Sequence, residues 1–263
     1  MNGLRLYGRM LAVSMRSQLQ YRASFLLTTL GNFISAFADF LGIWAFFDRF
    51  GGLQGWTLAE TAIFYGIGNV SFALSEMFAR EFDVFGSHVR TGSFDRMLLR
   101  PRSTVLQMMG AQCQIMRIGR LIQGAGVLAA GVWLLRPAWG VQHWLLLLAS
   151  IIGGTALFFG LIIMQATCCF WTVESLEIWN CVTDGGRTVA QYPLDIYEKP
   201  LRHFFTYLVP LACMSYWPGA YLLGRGYVPA WVSFLAPCAG ILIFLLSIWV
   251  WNCGIRHYRS CGS

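Results

Sequence analysis

Long apolar stretches alternate with short polar ones along this chain. Five stretches are long enough to cross a bilayer: 24–47, 58–78, about 118–135, about 144–170 and 231–251. A crossing helix needs about 20 predominantly apolar residues for a hydrocarbon core of about 30 Å. The first stretch, as a helix, is about 36 Å long, too long for a signal-peptide core, and no small-residue cleavage site follows it. Ahead of it, Leu4, Tyr7, Leu11 and Met15 recur at i, i+3, i+7 and i+11 beside Arg5, Arg9 and Arg16. That spacing predicts an amphipathic helix with a basic flank, suited to lying in a membrane interface.

The pattern is ambiguous only over 172–224. Hydropathy alone makes 204–223 the fifth of six spans. Pro193, Pro200, Pro210 and Pro218 argue against a straight helix there, because each removes a backbone donor and tends to end a helix. Short broken helices fit better, and at membrane depth they need protein or a wet cavity around them. Upstream, Glu174, Glu177, Asn180, Asp184, Thr188 and Gln191 fall at helical spacing. They form one polar stripe on a helix over 172–191. If that helix is the fifth span, the stripe faces a wet cavity, since a carboxylate in lipid costs about 2.5–3.5 kcal/mol on insertion scales. If it is a cytoplasmic helix, 204–223 is the span. Arg187, three residues after Asp184, is placed to pair with it.

Composition supports the membrane reading. The chain is 57% hydrophobic and only 12% charged, where a soluble domain is about a quarter charged. Of its cations, 18 are Arg and one is Lys199. Eleven Arg flank the spans on one side (positions 5, 9, 16, 22, 80, 90, 96, 100, 102, 256 and 259) against three (49, 136 and 225) on the other. The excess predicts both termini in the cytoplasm and an even number of spans, six. Arg gathered beside apolar runs is a topology signal, and no nucleic-acid partner is expected. The eight Cys include no C-x-x-C pair, so buried free thiols are expected and no metal site.

Motifs for chemistry are missing. The only Lys precedes Pro200, so there is no G-x-x-x-x-G-K-[ST] phosphate loop. H-E-x-x-H and G-x-S-x-G are absent too, so no catalytic residue is assigned. Asp39, mid-way in the first span, either lines a path or pairs with an Arg of another helix.

The loop after the second span reads R-E-F-D-V-F-G-S-H-V-R-T-G-S-F-D-R-M-L-L-R-P from 80 to 101. Phe82, Phe85 and Val89 recur at helical spacing, Gly92 can close that helix with a left-handed cap, and Pro101 stops the next. Exposed aromatics on such a loop point to a protein partner. The stretch from Gly92 to Pro101 resembles the G-x-(L/F)-D-x-x-L-L-R-P signature of ABC-2 type transporter permeases. Tyr192-Pro-Leu-Asp-Ile-Tyr197, followed by the Pro-containing apolar stretch, resembles a second motif of that family.

The resemblance implies an all-α integral membrane protein, 1–263 forming a single transmembrane domain of six helices. It implies a connecting helix over 1–22, a cytoplasmic coupling loop over 79–104 and outer re-entrant helices over 193–223. The expected function is the permease subunit of an ATP-binding cassette exporter in the cell inner membrane, moving an amphipathic, lipid-like or drug-like substrate. ATP is then bound by two separate ATPase subunits, and the chain needs no cofactor of its own. Expected partners are those ATPases, a second permease (identical or homologous) and membrane lipids. Phe82, Phe85, Arg90, Phe94 and Arg96 are the expected ATPase contact. Asp39, Glu177, Asn180 and Asp184 are the expected path, whose acidic groups favour cationic or amphipathic molecules. The alternatives are an ATPase-independent transporter and a lipid-modifying membrane enzyme.

Overall fold

A computed structural model describes residues 3–172, 177–226 and 228–258, without the side chains of residues 3–6, Glu177 and Ile178. The first half runs α1 (Gly3–Gln20), α2 (Arg22–Phe50), α3 (Leu58–Asp83), α4 (Phe85–Arg90), α5 (Ser93–Leu98) and α6 (Thr104–Ala111). It continues with α7 (Ile118–Leu135), α8 (Val141–Thr172), α9 (Glu177–Ala190), α10 (Lys199–His203), α11 (Trp217–Leu222), α12 (Ala230–Leu235) and α13 (Cys238–Ile255). Five helical stretches are long and apolar enough to cross a membrane: Arg22–Phe50, Leu58–Arg90, Ile115–Leu135, Val141–Thr172 and Ala230–Ile255. Below, the basic end of the bundle is the one carrying α4 and α5, and the far end is the one carrying the turn between α2 and α3.

Local chemistry sets the boundaries of these helices. Gly51 closes α2 at φ +74° and donates its N–H to the Phe47 carbonyl at 2.8 Å. Thr57 opens α3 with a capping box: its hydroxyl accepts from the Glu60 N–H, and the Glu60 carboxylate accepts from the Thr57 N–H. The four prolines act as the sequence predicts. Pro193 and Pro200 each start a short turn or helix, Pro210 separates the π-helical turns Phe204–Leu208 and Ala212–Tyr216, and Pro218 lies in the first turn of α11. No straight helix covers 204–223.

α3 and α8 form the buried centre, whereas α2, α7 and α13 keep most of their apolar surface exposed. α13 lies parallel to α8 along a seam of small residues. Gly153 meets Pro237 and Gly240, Gly160 meets Phe244, and Gly254 meets Thr167 and Phe170. Backbones approach this closely only where side chains are absent, which is how helices associate when lipid removes the hydrophobic drive between them. A Cβ on Gly240 would collide with the Gly153 carbonyl oxygen. Gly240→Val is therefore expected to cost about 1–3 kcal/mol or more by overpacking, read as a lower thermal unfolding midpoint in detergent. Gly126→Ala, at a position with open space, is the control. Equal midpoints for both variants would refute the close seam.

The basic end has its own core. Phe82, Phe85 and Phe94 are 1%, 0% and 0% exposed and pack with Phe159, Phe170 and Trp251. Trp251 lies 4.8 Å from Phe85, 5.1 Å from Phe170, 5.3 Å from Phe82 and 6.1 Å from Phe94 between ring centroids. This corrects the expectation of exposed aromatics on the loop. The three Phe side chains fasten α4 and α5 to the bundle and have no surface to offer a partner. Gly92 does adopt φ +64° between α4 and α5. His88 bridges Glu81 at 2.7 Å and Ser93 at 2.7 Å, tying the two short helices to the end of α3.

α1 is also anchored. Between α6 and α7 the chain unwinds, leaving backbone groups without helical partners. Ser14 Oγ accepts from the Cys113 N–H at 2.9 Å, Gln18 Oε1 accepts from the Ile115 N–H at 3.1 Å, and Gln18 Nε2 donates to the Cys113 carbonyl. Among the described residues no disulfide forms. Cys113, Cys169 and Cys213 are buried as expected, but Cys181 and Cys238 are exposed.

A polar cavity as the candidate functional site

α9 has 14 residues, about 21 Å of helix. Its contacts nevertheless step along the bundle. Near its start Asn180 accepts from Gln165 Nε2 at 3.3 Å. Further on, Arg187 reaches Asn69 at 3.3 Å and Asp39 at 3.6 Å, both mid-way along their own helices. Beyond its end, Asp195 accepts from Trp56 Nε1 at the far end. Within the polar stripe Asn180, Asp184 and Thr188 keep exposed edges and Gln191 is buried, so the stripe borders a space open to solvent on one side.

The stripe meets a second one on α3, where Asn69, Phe72, Glu76, Arg80 and Asp83 lie on one face. α7 contributes Arg120, and the turn before it contributes Arg117. Together with Ile162 and Gln165 of α8 they line a half-open cavity of about 380 Å³ that is mostly polar, with Asn180, Thr183 and Asp184 on the α9 side. Glu76 is shared by two guanidiniums, Arg120 at 2.6 Å and Arg117 at 3.3 Å. Arg80 pairs with Asp83 at 3.7 Å. Arg120 and Arg187 both lie over the Phe72 ring, at 5.8 and 5.6 Å from its centroid.

Of the four expected path residues, Asn180 and Asp184 line this cavity. Asp39 does not. It sits one polar layer further on, paired with Arg187, which is the second of its two expected fates. The expected Asp184–Arg187 pair does not form: one helical step separates them, but Arg187 turns to Asp39 and Asn69. The side chain of Glu177 lies outside the described residues. Glu76, Arg117, Arg120 and Gln165, outside the expected site residues, also line it.

A polar lock closes the far end. Arg225 donates to both Glu60 carboxylate oxygens, at 3.0 and 2.9 Å, and to the Gly55 carbonyl at 2.6 Å. Its guanidinium carbon lies 3.9 Å from the Trp56 ring centroid. Bidentate and stacked at once, it holds the 191–226 segment to the start of α3 in a way Lys could not reproduce.

At the basic end the loop presents a different surface. Arg96, Leu98, Arg100 and Pro101 are exposed, and Leu99 is 85% exposed. Of the expected ATPase contact, Arg90 and Arg96 lie on this surface, while Phe82, Phe85 and Phe94 lie beneath it.

No curated protein and no solved structure matches the chain. A family model described as an ABC-2 family transporter protein matches residues 33–262, from within α2 almost to the C-terminus. Five membrane-length helices, a polar cavity lined by three of them together with α9, and that match lead to one conclusion: the chain is a multi-pass membrane protein of the ABC-2 transporter family, a permease subunit of an ATP-binding cassette transporter.

Proposed function

We propose that this permease couples ATP hydrolysis by two separate ATPase subunits to export of an amphipathic substrate, working beside a second permease, identical or homologous. In this reading the basic end is cytoplasmic, the membrane is the cell inner membrane, and α9 with the turn after it is the fifth of six crossings. The exposed apolar faces of α2, α7 and α13 are covered by lipid and the second permease. The observation that carries the reading is the loop of α4 and α5. It is a rigid knob, with its aromatics sunk into the bundle and Arg96, Leu98, Leu99 and Arg100 held outward. Movement of an ATPase against that ridge is passed through Phe85, Phe94 and Trp251 to α3, α8 and α13. ATP itself makes no contact with the chain in this scheme, so all coupling runs through the ridge.

Tagged protein from its native host is expected to bring down an ATPase. Combined Arg96→Ala and Leu99→Ala changes should abolish substrate-stimulated ATP hydrolysis, while the unfolding midpoint stays within the range of surface substitutions, about ±0.5 kcal/mol. Stimulated hydrolysis at wild-type rates in that variant would overturn the coupling site.

A further inference from the structure

We propose that the polar cavity between α3, α7, α8 and α9 binds a zwitterionic group, its anionic half on Arg117 and Arg120 and its cationic half on Asp184. The proposal names the substrate class and rests on the permease reading above.

The charges in the cavity decide the class. Three cations (Arg80, Arg117, Arg120) and three carboxylates (Glu76, Asp83, Asp184) line it, so its net charge is zero. They are not evenly mixed. Arg80 and Asp83 neutralise one another at 3.7 Å. Arg117 and Arg120 share the single carboxylate of Glu76, which leaves that wall one positive charge in excess. On the α9 wall Asp184 is exposed and makes no ion pair among the described residues. One surplus cation and one unpaired carboxylate therefore face the same half-open, mostly polar space. Arg120 is fixed by its contact with Phe72 and by Glu76, so the anion-binding side is organised before any ligand arrives. A simple cation would meet three guanidiniums, and a simple anion would meet Asp184. A phosphate or carboxylate carrying an ammonium a few bonds away satisfies both walls. The acidic stripe of α9 alone favours cations; Arg80 of α3, Arg120 of α7 and Arg117 before it offset that preference.

The space suits a headgroup with water. At about 30 Å³ per water the cavity holds about a dozen molecules. Among the described residues Phe72 and Ile162 are its large apolar lining residues, so an attached alkyl tail lies outside it. The zwitterion can belong to an amphipath or be a free small molecule.

The test uses the purified full chain in an uncharged maltoside micelle, with ligand binding followed by tryptophan fluorescence. The probes share one alkyl chain and carry phosphoethanolamine, phosphate, ammonium or a neutral sugar; tail-free phosphoethanolamine is the fifth probe. The phosphoethanolamine head is expected to bind about tenfold more tightly than phosphate or ammonium alone. Asp184→Asn, at an exposed position, should erase the advantage over the alkyl phosphate. Arg120→Gln should erase the advantage over the alkylammonium. Preferential binding of the tailed zwitterion supports the assignment, and binding of the tail-free one that is lost in Asp184→Asn identifies the free head as sufficient. Equal affinity for all heads, or an unchanged preference in Asp184→Asn, overturns it. No ATPase takes part, so this result stands apart from the co-purification that tests the permease reading.

Discussion

Trp251→Ala is expected to destabilise the protein by about 3–5 kcal/mol, the range for truncating a large buried aromatic, and to release the loop of α4 and α5. Trp251 is fully buried at the point where α3, α4, α5, α8 and α13 meet, with its ring against Phe82, Phe85, Phe94 and Phe170. Its indole N–H donates to Thr104 Oγ1 at 2.9 Å, which also fixes the start of α6. Two readouts separate stability from docking. The unfolding midpoint reports the lost packing, and trypsin cleavage after Arg90 or Arg96 reports the freed loop. Trp251→Phe keeps most of the ring contacts and loses one buried hydrogen bond, for about 1–3 kcal/mol once Thr104 is left without its partner. It should unfold earlier but resist trypsin. Wild-type protease resistance in Trp251→Ala would mean that the loop is held by something other than this aromatic core.

Trp251 also shows what hydrophobic periodicity can and cannot convey. The spacing of Phe82, Phe85 and Val89 reveals a helical apolar face but not what covers it. Within a membrane protein the covering surface can be a partner or the protein's own last helix, and these give the same pattern in one sequence. Here α13 returns to the basic end and places Trp251 on that face, 166 residues after Phe85 in the chain. No local signal carries that contact. The element types were more legible, because their causes are local. The four prolines determine the broken character of 193–222, Gly92 determines the α4–α5 turn, and the length of each apolar run determines five spans.

The cavity was half legible. The α9 stripe stands out because polar residues interrupt a mixed segment, so Asn180 and Asp184 are found by spacing alone. The matching stripe on α3, from Asn69 through Glu76 to Asp83, has the same helical spacing. It is hidden by the strongly apolar residues of the same span, which raise its mean hydropathy and make it read as an ordinary lipid-facing helix. Arg117 and Arg120 are hidden for another reason: Arg near a span boundary normally reports topology. These two report an ion pair instead, and only the presence of Glu76 on a neighbouring helix distinguishes the cases. Likewise Arg187 has Asp184 close in sequence, but the backbone aims it at α2 and α3, where Asp39 and Asn69 wait.

Glu76→Gln is the second change of large expected effect. Glu76 is 13% exposed, and its two partners are 14% and 22% exposed. Neutralising it leaves two guanidiniums facing each other across a neutral amide inside the bundle. Removing one partner of a buried pair costs about 3–5 kcal/mol, mostly from the charge left uncompensated. The unfolding midpoint should fall accordingly, and the double variant Glu76→Gln/Arg120→Gln should recover part of the loss, because one stranded charge leaves with its partner. Strict additivity of the two single losses would show that the three side chains do not act as a unit. The variant also probes the chemistry of the wall from the opposite direction. With Glu76 gone, Arg117 and Arg120 hold two uncompensated charges, and an added anion should take the place of the carboxylate. Phosphate is therefore expected to raise the midpoint of Glu76→Gln more than that of the wild type, whereas chloride at equal ionic strength, which screens without bridging two guanidiniums, should do less. A phosphate effect no larger in the variant than in the wild type would place the anion-binding side of the cavity elsewhere.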